Sequence, residues 1–329
     1  MLHILAITAP IYLLIALGWL SVSRGWFARA DMRVLGQFVV RLALPALLFR
    51  TLANRPLAEA LSPRLLLAYA TGSALALLVG WWWARRGTAP ARGEVAAWPV
   101  MVGMGMSFSN SGFVGTPVLL QWLGPQAGPA VAMTMVVENL VMLPLALAMA
   151  DHRGTASGSF GGTLRGLGRS LRPLATNPLV LAILAGGLCG AFNTSGQPVL
   201  PPMISRTIDL LANASAGVAL LVIGGSLAGL PWRGLGAGIV AVSSGKLLLH
   251  PLMVGLLVWW WAPADLPLRH AMVALAAMPM MSIYPVLAQK YGHDGFCAAA
   301  LLVTTVASFF SLSAWLWALS GPLVPLFGH

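Results

Sequence analysis

The chain has 329 residues, 58% of them apolar and 8% charged, with a net charge of +11 and a mean hydropathy of +0.84. A soluble domain carries about 25% charged residues, so these figures exclude a water-soluble globular fold and predict an all-α integral membrane protein. The basic residues are scattered between apolar runs, which excludes the one-sided patch of a nucleic-acid binder.

A helix needs about 20 apolar residues to cross a bilayer. Ten segments qualify, at 3–23, 34–52, 65–84, 95–123, 129–150, 173–192, 204–230, 235–261, 268–291 and 296–319. No basic stretch precedes the first, which reads as a span and not as a signal peptide. Residues 151–172, rich in Gly, Ser, Thr and Arg, read as a linker. Cys189 and Cys297 each lie in an apolar run and read as packing residues, without a disulfide or metal site.

Arginine and lysine in the loops set the orientation. One set of alternate loops carries Arg24, Arg29, Arg33, Arg85, Arg86, Arg92, Arg153, Arg165, Arg169, Arg172, Arg233 and Lys290; the other carries Arg50, Arg55, Arg64, Arg206 and Arg269. The richer set is expected on the cytoplasmic side, which makes 151–172 a cytoplasmic linker and places both termini outside. The expected location is the cytoplasmic (inner) membrane, with several passes.

The fourth segment contains Ser109-Asn110-Ser111-Gly112-Phe113-Val114-Gly115-Thr116-Pro117. Gly is about 1 kcal/mol and Pro about 3 kcal/mol worse than Ala inside a helix, and freed backbone groups in lipid must find partners within the protein. This stretch reads as a broken helix. A shift of 168 residues superposes Pro117-Val118-Leu119-Leu120-Gln121 on Pro285-Val286-Leu287-Ala288-Gln289, and Pro10, Leu13, Ile15, Gly18 and Leu20 on Pro178, Leu181, Ile183, Gly186 and Leu188. The matched stretch, Met278 to Pro285, has prolines at 279 and 285 and reads as a second break; a simple proline kink is the alternative for each. Five spans in each half force the two copies into opposite orientations, the inverted-repeat plan of many secondary transporters.

The chain resembles the auxin efflux carrier family. The resemblance rests on Asn110 to Pro117, on Leu44-Pro45-Ala46-Leu47-Leu48-Phe49, on Lys246 to Pro251, and on Pro285 to Gly292. It implies ten transmembrane helices in two inverted five-helix repeats, 1–150 and 173–329, with helices 4 and 9 broken and crossing. It also implies a scaffold of helices 1, 2, 6 and 7, a transport part of helices 3–5 and 8–10, and a homodimer. Bacterial members include malate and malonate permeases, and plant members export the weak acid auxin. The long cytoplasmic loop of many plant members is replaced here by 151–172 alone.

Pro117 and Pro285 stand where second half-helices would begin, a position that suits proline because no intrahelical bond is lost there. Such N-terminal ends carry partial positive charge and free N–H groups, which favours a carboxylate. The substrate-binding candidates are therefore Asn110, Ser111, Gly112, Gly115, Thr116, Pro117, Pro279, Tyr284 and Pro285. Met280 and Met281 read equally as substrate contacts or as packing.

Ionisable groups deep in a span are costly and are functional candidates by default. Glu138, beside Asn139, lies in the fifth span; Lys246 lies in the eighth, with His250 four residues on and so on the same face. Lys246 is a further substrate-binding candidate, attracting an organic anion or standing in for a coupling cation. Glu138, Asn139 and His250 are candidates for proton coupling. Buried structural pairing or snorkelling is the plainer alternative for each. Arg41, two turns inside the second span, reads mainly as structural, and Asn213 as a bridge between helices.

Together these features predict a secondary transporter of small carboxylates working by alternating access, with no enzyme activity, no cofactor and no metal. Coupling to H⁺ is the first expectation; Na⁺ coupling and uniport are the alternatives. An anion channel or membrane sensor on the same scaffold is the second reading. A membrane-embedded enzyme is the third, and it lacks a convergent catalytic set.

Overall fold

The computed structural model describes residues 2–53, 62–87, 95–151, 177–192, 200–229, 236–261 and 266–321. Most of the expected linker, together with Arg55, Arg92, Arg153, Arg165, Arg169, Arg172 and Arg233, lies outside them. The elements are α1 (Leu2–Ser23), α2 (Arg29–Ala53), α3 (Pro63–Arg86), α4 (Trp98–Ser107), α5 (Thr116–Leu123), α6 (128–151), α7 (Pro178–Phe192), α8 (Pro202–Leu227), α9 (Ala237–Trp261), α10 (Leu266–Ala276), α11 (Tyr284–Gln289) and α12 (Asp294–Ser320). The described residues form no strands beyond one isolated two-residue bridge.

Seven of the described helical runs are long and apolar enough to cross a membrane. Ten were expected. The described part of the sixth segment, α7, has 15 residues. The fourth and ninth segments are each split into pieces of 6–11 residues, too short to span alone. The run Ser111–Asp151 counts as one helix by length, but the chain turns within it. Gly124 takes φ +68°, a backbone region open to glycine at little cost. The hydroxyl of Ser111 then reaches Glu138, 27 positions on, which a straight helix would hold about 40 Å away.

The helices sort by what covers them. α1, α7 and α12 expose large apolar side chains, including Leu13, Leu17, Leu181, Leu184, Leu188, Phe192 and Phe310, as lipid-facing helices do. α4 is buried from Val100 to Ser107 and α10 from His270 to Ala276; helices apolar all round belong inside. α1 packs along α8, and α2 packs on α7 and α8. Around the buried α4 and α10, α3 packs on α4 and α9, α9 on α10, and α11 on α12.

α2 begins at Arg29, five residues before the expected span. Asp31 accepts from the Ala28 N–H at 2.8 Å and stabilises this early start. Arg41 consequently lies near the middle of a 25-residue helix, with an exposed side chain.

Among the described residues, four wide turns interrupt the regular winding, each closed by an N–H bonded five residues back: Val39–Ala43, Ser111–Gly115, Val137–Met142 and Gly245–Leu249. Turns of this kind often accompany functional sites. These hold Arg41, Ser111 with both candidate glycines, Glu138 with Asn139, and Lys246.

Candidate functional site at the crossing of two helix breaks

α4 ends where Phe108 N–H bonds the Met104 carbonyl at 3.0 Å. Three residues later the chain is helical again, because the Asn110 carbonyl accepts from Val114 and Gly115 at 3.0 and 2.9 Å. The break is thus shorter than the 109–117 stretch suggests, and Gly112 and Gly115 lie in the first turn of the new helix. The second break covers 277–283. Pro279 there lacks an N–H and disfavours helical backbone at Met278.

The two breaks meet. Ser109 and Met280 form an antiparallel bridge, and Asn110 N–H donates to the Pro279 carbonyl at 2.8 Å. Backbone groups released from two helices are therefore satisfied against each other, as a water-free interior demands. The Asn110 side chain spans the same crossing, donating from Nδ2 to Ser282 Oγ at 2.6 Å.

Beyond the first break, the N–H groups of Ser111, Gly112 and Phe113 precede any acceptor in their own helix. Pro117 was expected to open the second half-helix, but the helix restarts at Ser111 and Pro117 is its seventh residue; the wide turn Ser111–Gly115 just before it accommodates the missing N–H. Thr116 Oγ1 donates to the Ser111 carbonyl at 3.1 Å and tightens this turn. The turn packs on α8. A Cβ on Gly112 would come 3.2 Å from Leu44 of α2 and Met135 of α6, and one on Gly115 would come 2.6 Å from Leu275 of α10. The first turn thus lies where α2 and α8 meet the helices around α4 and α10.

The second restart is weaker. Pro285 is the second residue of α11, which has only six residues and a correspondingly small dipole. Tyr284 faces away from the bridge, donating to the Met101 carbonyl at 2.7 Å and tying α11 to α4. Met280 is buried and Met281 is 9% exposed.

The deep ionisable residues converge on the same place. Glu138, 3% exposed, accepts at Oε1 from Tyr69 OH and from Ser111 Oγ, each at 2.8 Å. Asn139 turns back on its own helix and donates to the Met135 carbonyl at 2.8 Å. Lys246 is fully buried. Its Nζ lies 2.8 Å from Ser109 Oγ, 2.6 Å from the Ala276 carbonyl and 2.9 Å from His250 Nδ1. His250 Nε2 lies 2.9 Å from Ser73 Oγ, and its ring stands edge-on to Tyr69 at 5.9 Å. Two polar chains, Ser111–Glu138–Tyr69 and Ser109–Lys246–His250–Ser73, thus run side by side through an apolar core. Lys246 and His250 share one helix face, as their spacing requires.

Tyr69, Ser73, Ser109 and Ser282 complete the constellation and were not among the sequence-derived candidates. Tyr69 and Ser73 are four apart, and so on one helix face, in a span whose other hydroxyl is Thr71, and that spacing is the one local signal that marks them. Asn213 and Asp209 lie elsewhere: both accept from Arg50, at 3.0 and 3.3 Å, and join α8 to α2. Among the described residues no cluster of His, Cys, Asp and Glu could hold a metal ion.

The sequence matches the family model described as membrane transport protein over residues 3–161 and 162–316. It is 29% identical over 330 residues to the "Putative malonate transporter" of Rhizobium meliloti (strain 1021), covering 99% of this chain and 98% of that protein. It is 24% identical to "Auxin efflux carrier component 8" of Arabidopsis thaliana, over 68% of this chain and 71% of the plant protein. It is 26% identical to "Uncharacterized transporter YfdV" of Escherichia coli (strain K12), over 94% of each. The crossed breaks and these matches agree, and the chain belongs to the auxin efflux carrier family of membrane transport proteins.

Proposed function

We propose that this protein is a secondary carrier that moves small carboxylates across the cytoplasmic membrane by alternating access. One observation carries the reading. At the Ser109–Met280 bridge, the first turn of the helix leading into α5 is ringed by Asn110, Ser111, Thr116 and Ser282. Such a turn presents N–H groups and partial positive charge to an anion. Gly112, Gly115 and Pro117 shape that turn, Pro279 meets it from the opposing break, and Tyr284 and Pro285 begin the helix that follows that break and fasten it to α4. The names of two relatives point to malonate and auxin, both organic acids.

The reading carries a topology: ten crossings in two inverted five-helix repeats, assembled as a homodimer. α1, α2, α7 and α8 form the scaffold, and the remaining helices form the part that moves. The packing of α1 and α7 on α8 and α2 supports this division. Two ion pairs support the grouping of ends on a common side. Arg50 with Asp209 joins two ends assigned outside, and Lys290 with Asp151 joins two assigned to the cytoplasm. Glu138 is the proton-coupling candidate, with Tyr69 and Ser111 holding one carboxylate oxygen.

The test is flux in proteoliposomes against a panel of mono- and dicarboxylates, with pH and sodium gradients imposed separately. A carrier saturates and shows counterflow. Flux that rises without limit and shows no counterflow would make the protein a channel, and no flux of any carboxylate would remove the proposal.

A further inference from the structure

We propose that the Lys246 ammonium is a resident cation of the crossing, occupying the place a coupling metal cation would take, so that the transport cycle runs without a bound sodium ion. The inference rests on the reading of the crossing as the transport site and adds which charge is built into it.

The geometry begins with the carbonyls. α10 ends at Ala276, and the C-terminal end of a helix carries partial negative charge. Ala276 O also faces the other break, where Ser109 Oγ lies 3.4 Å away. A carbonyl and a hydroxyl from two broken helices, converging deep in the protein, make a cation-attracting corner. An ammonium has three N–H donors and no acceptor. Lys246 Nζ has three partners within reach, the Ala276 carbonyl, Ser109 Oγ and His250 Nδ1. The carbonyl can only accept, so that bond is donated by Nζ. With Nε2 of His250 carrying its ring proton toward Ser73 Oγ, Nδ1 accepts as well. All three ammonium hydrogens are then placed.

Two consequences follow from this arrangement. With its three donors engaged and its side chain fully buried, Lys246 acts on the substrate through the breaks it joins; it is a positioning residue. The charges are also sorted: the cation lies on the C-terminal end of α10, and the turn at Ser111–Gly115, whose Ser111 hydroxyl already donates to Glu138, offers its leading N–H groups to an anion. A metal ion in the same corner would meet two oxygens and an imidazole nitrogen. Sodium prefers oxygen, whereas an ammonium hydrogen-bonds to all three.

The experiment has two arms. In the first, the wild-type protein is assayed with sodium replaced by N-methylglucamine, both for flux in proteoliposomes and for melting temperature in detergent. The expected result is no change in either; flux that requires sodium, or a sodium-dependent rise in melting temperature, overturns the proposal. In the second, Lys246→Ala is measured with and without methylammonium. The variant is expected to melt at a lower temperature and to lose at least tenfold in flux, with methylammonium restoring both and sodium restoring neither. A Lys246→Ala protein that melts and transports like the wild type without added amine overturns the proposal. If Lys246→Ala cannot be purified, Lys246→Met takes its place, and the wild-type arm stands by itself. Should no carboxylate be carried at all, the carrier reading fails while the melting measurements still decide the role of Lys246.

Discussion

Asn110 N–H and the Pro279 carbonyl are joined at 2.8 Å, and this bond ties the two halves of the chain together at their interruptions. The Asn110 amide adds a second link, to Ser282 at 2.6 Å. The backbone bond is open to every residue but proline at position 110; the amide link is not.

Asn110→Ala is therefore expected to separate transport from folding. A net hydrogen bond is worth about 1 kcal/mol, so the variant should still fold, elute as the wild type does and melt only a few degrees lower. Flux should fall at least tenfold, because the amide is the polar side chain shared by the two breaks. Wild-type flux in this variant would remove the crossing from the mechanism.

Glu138 supplies a different kind of test. Glu138→Gln keeps an oxygen for Tyr69 and Ser111 but can no longer gain or lose a proton. If Glu138 carries the coupling proton, the variant should catalyse substrate counterflow while failing to accumulate substrate on a pH gradient. A Glu138→Gln protein that still accumulates substrate on such a gradient would assign coupling elsewhere. Tyr69→Phe should keep coupling and lower stability by about 1–3 kcal/mol, because a buried carboxylate loses one of its two hydroxyl donors.

The packing of α1 on α8 predicts the reverse pattern. A Cβ on Gly224 of α8 would collide with the Ile15 carbonyl of α1, and backbone cannot swing aside as a side-chain tip can. Gly224→Ala should cost about 1–3 kcal/mol by overpacking, seen as poorer yield and a lower melting temperature. Substrate affinity in the surviving protein should be unchanged; a large rise in half-saturation would place α1 and α8 nearer to the site than their packing indicates.

The Lys290–Asp151 pair predicts a small effect beside a larger one. Lys290 and Asp151 are 66% and 51% exposed and 2.6 Å apart, and exposed pairs contribute about 0–1 kcal/mol. Tyr291 is buried and donates to the same carboxylate at 2.7 Å. Thermal melts should show Tyr291→Phe to be more destabilising than Lys290→Ala; the opposite order would mean that the ion pair is stronger than its exposure allows.

Composition was enough to place this chain in a membrane, because water-soluble folds do not form with so few charges. Pro279 was enough to mark an interrupted helix and Pro285 its restart, because the cost of a missing N–H is local and follows from residue type; Pro117 marks its break less directly, since the helix has already restarted six residues earlier. The spacing of Lys246 and His250 placed them on one helix face for the same reason. None of these readings depends on what lies across the core.

The partners were another matter. That Ser109 bridges Met280, that Lys246 reaches Ala276, and that Glu138 receives Tyr69 are contacts between residues tens to hundreds of positions apart, set by how α3, α6, α9 and α10 stack. An apolar span looks the same whether it faces lipid or protein, so exposure alone separates α1 from α4. The wide turns that present Ser111, Glu138 and Lys246 do carry a residue signature: each ends two positions before a proline, Pro117, Pro144 and Pro251, whose ring has no N–H and clashes with the carbonyl four residues back. What each turn faces is not in that signature, because its partners come from other helices and meet it only once the helices have come together.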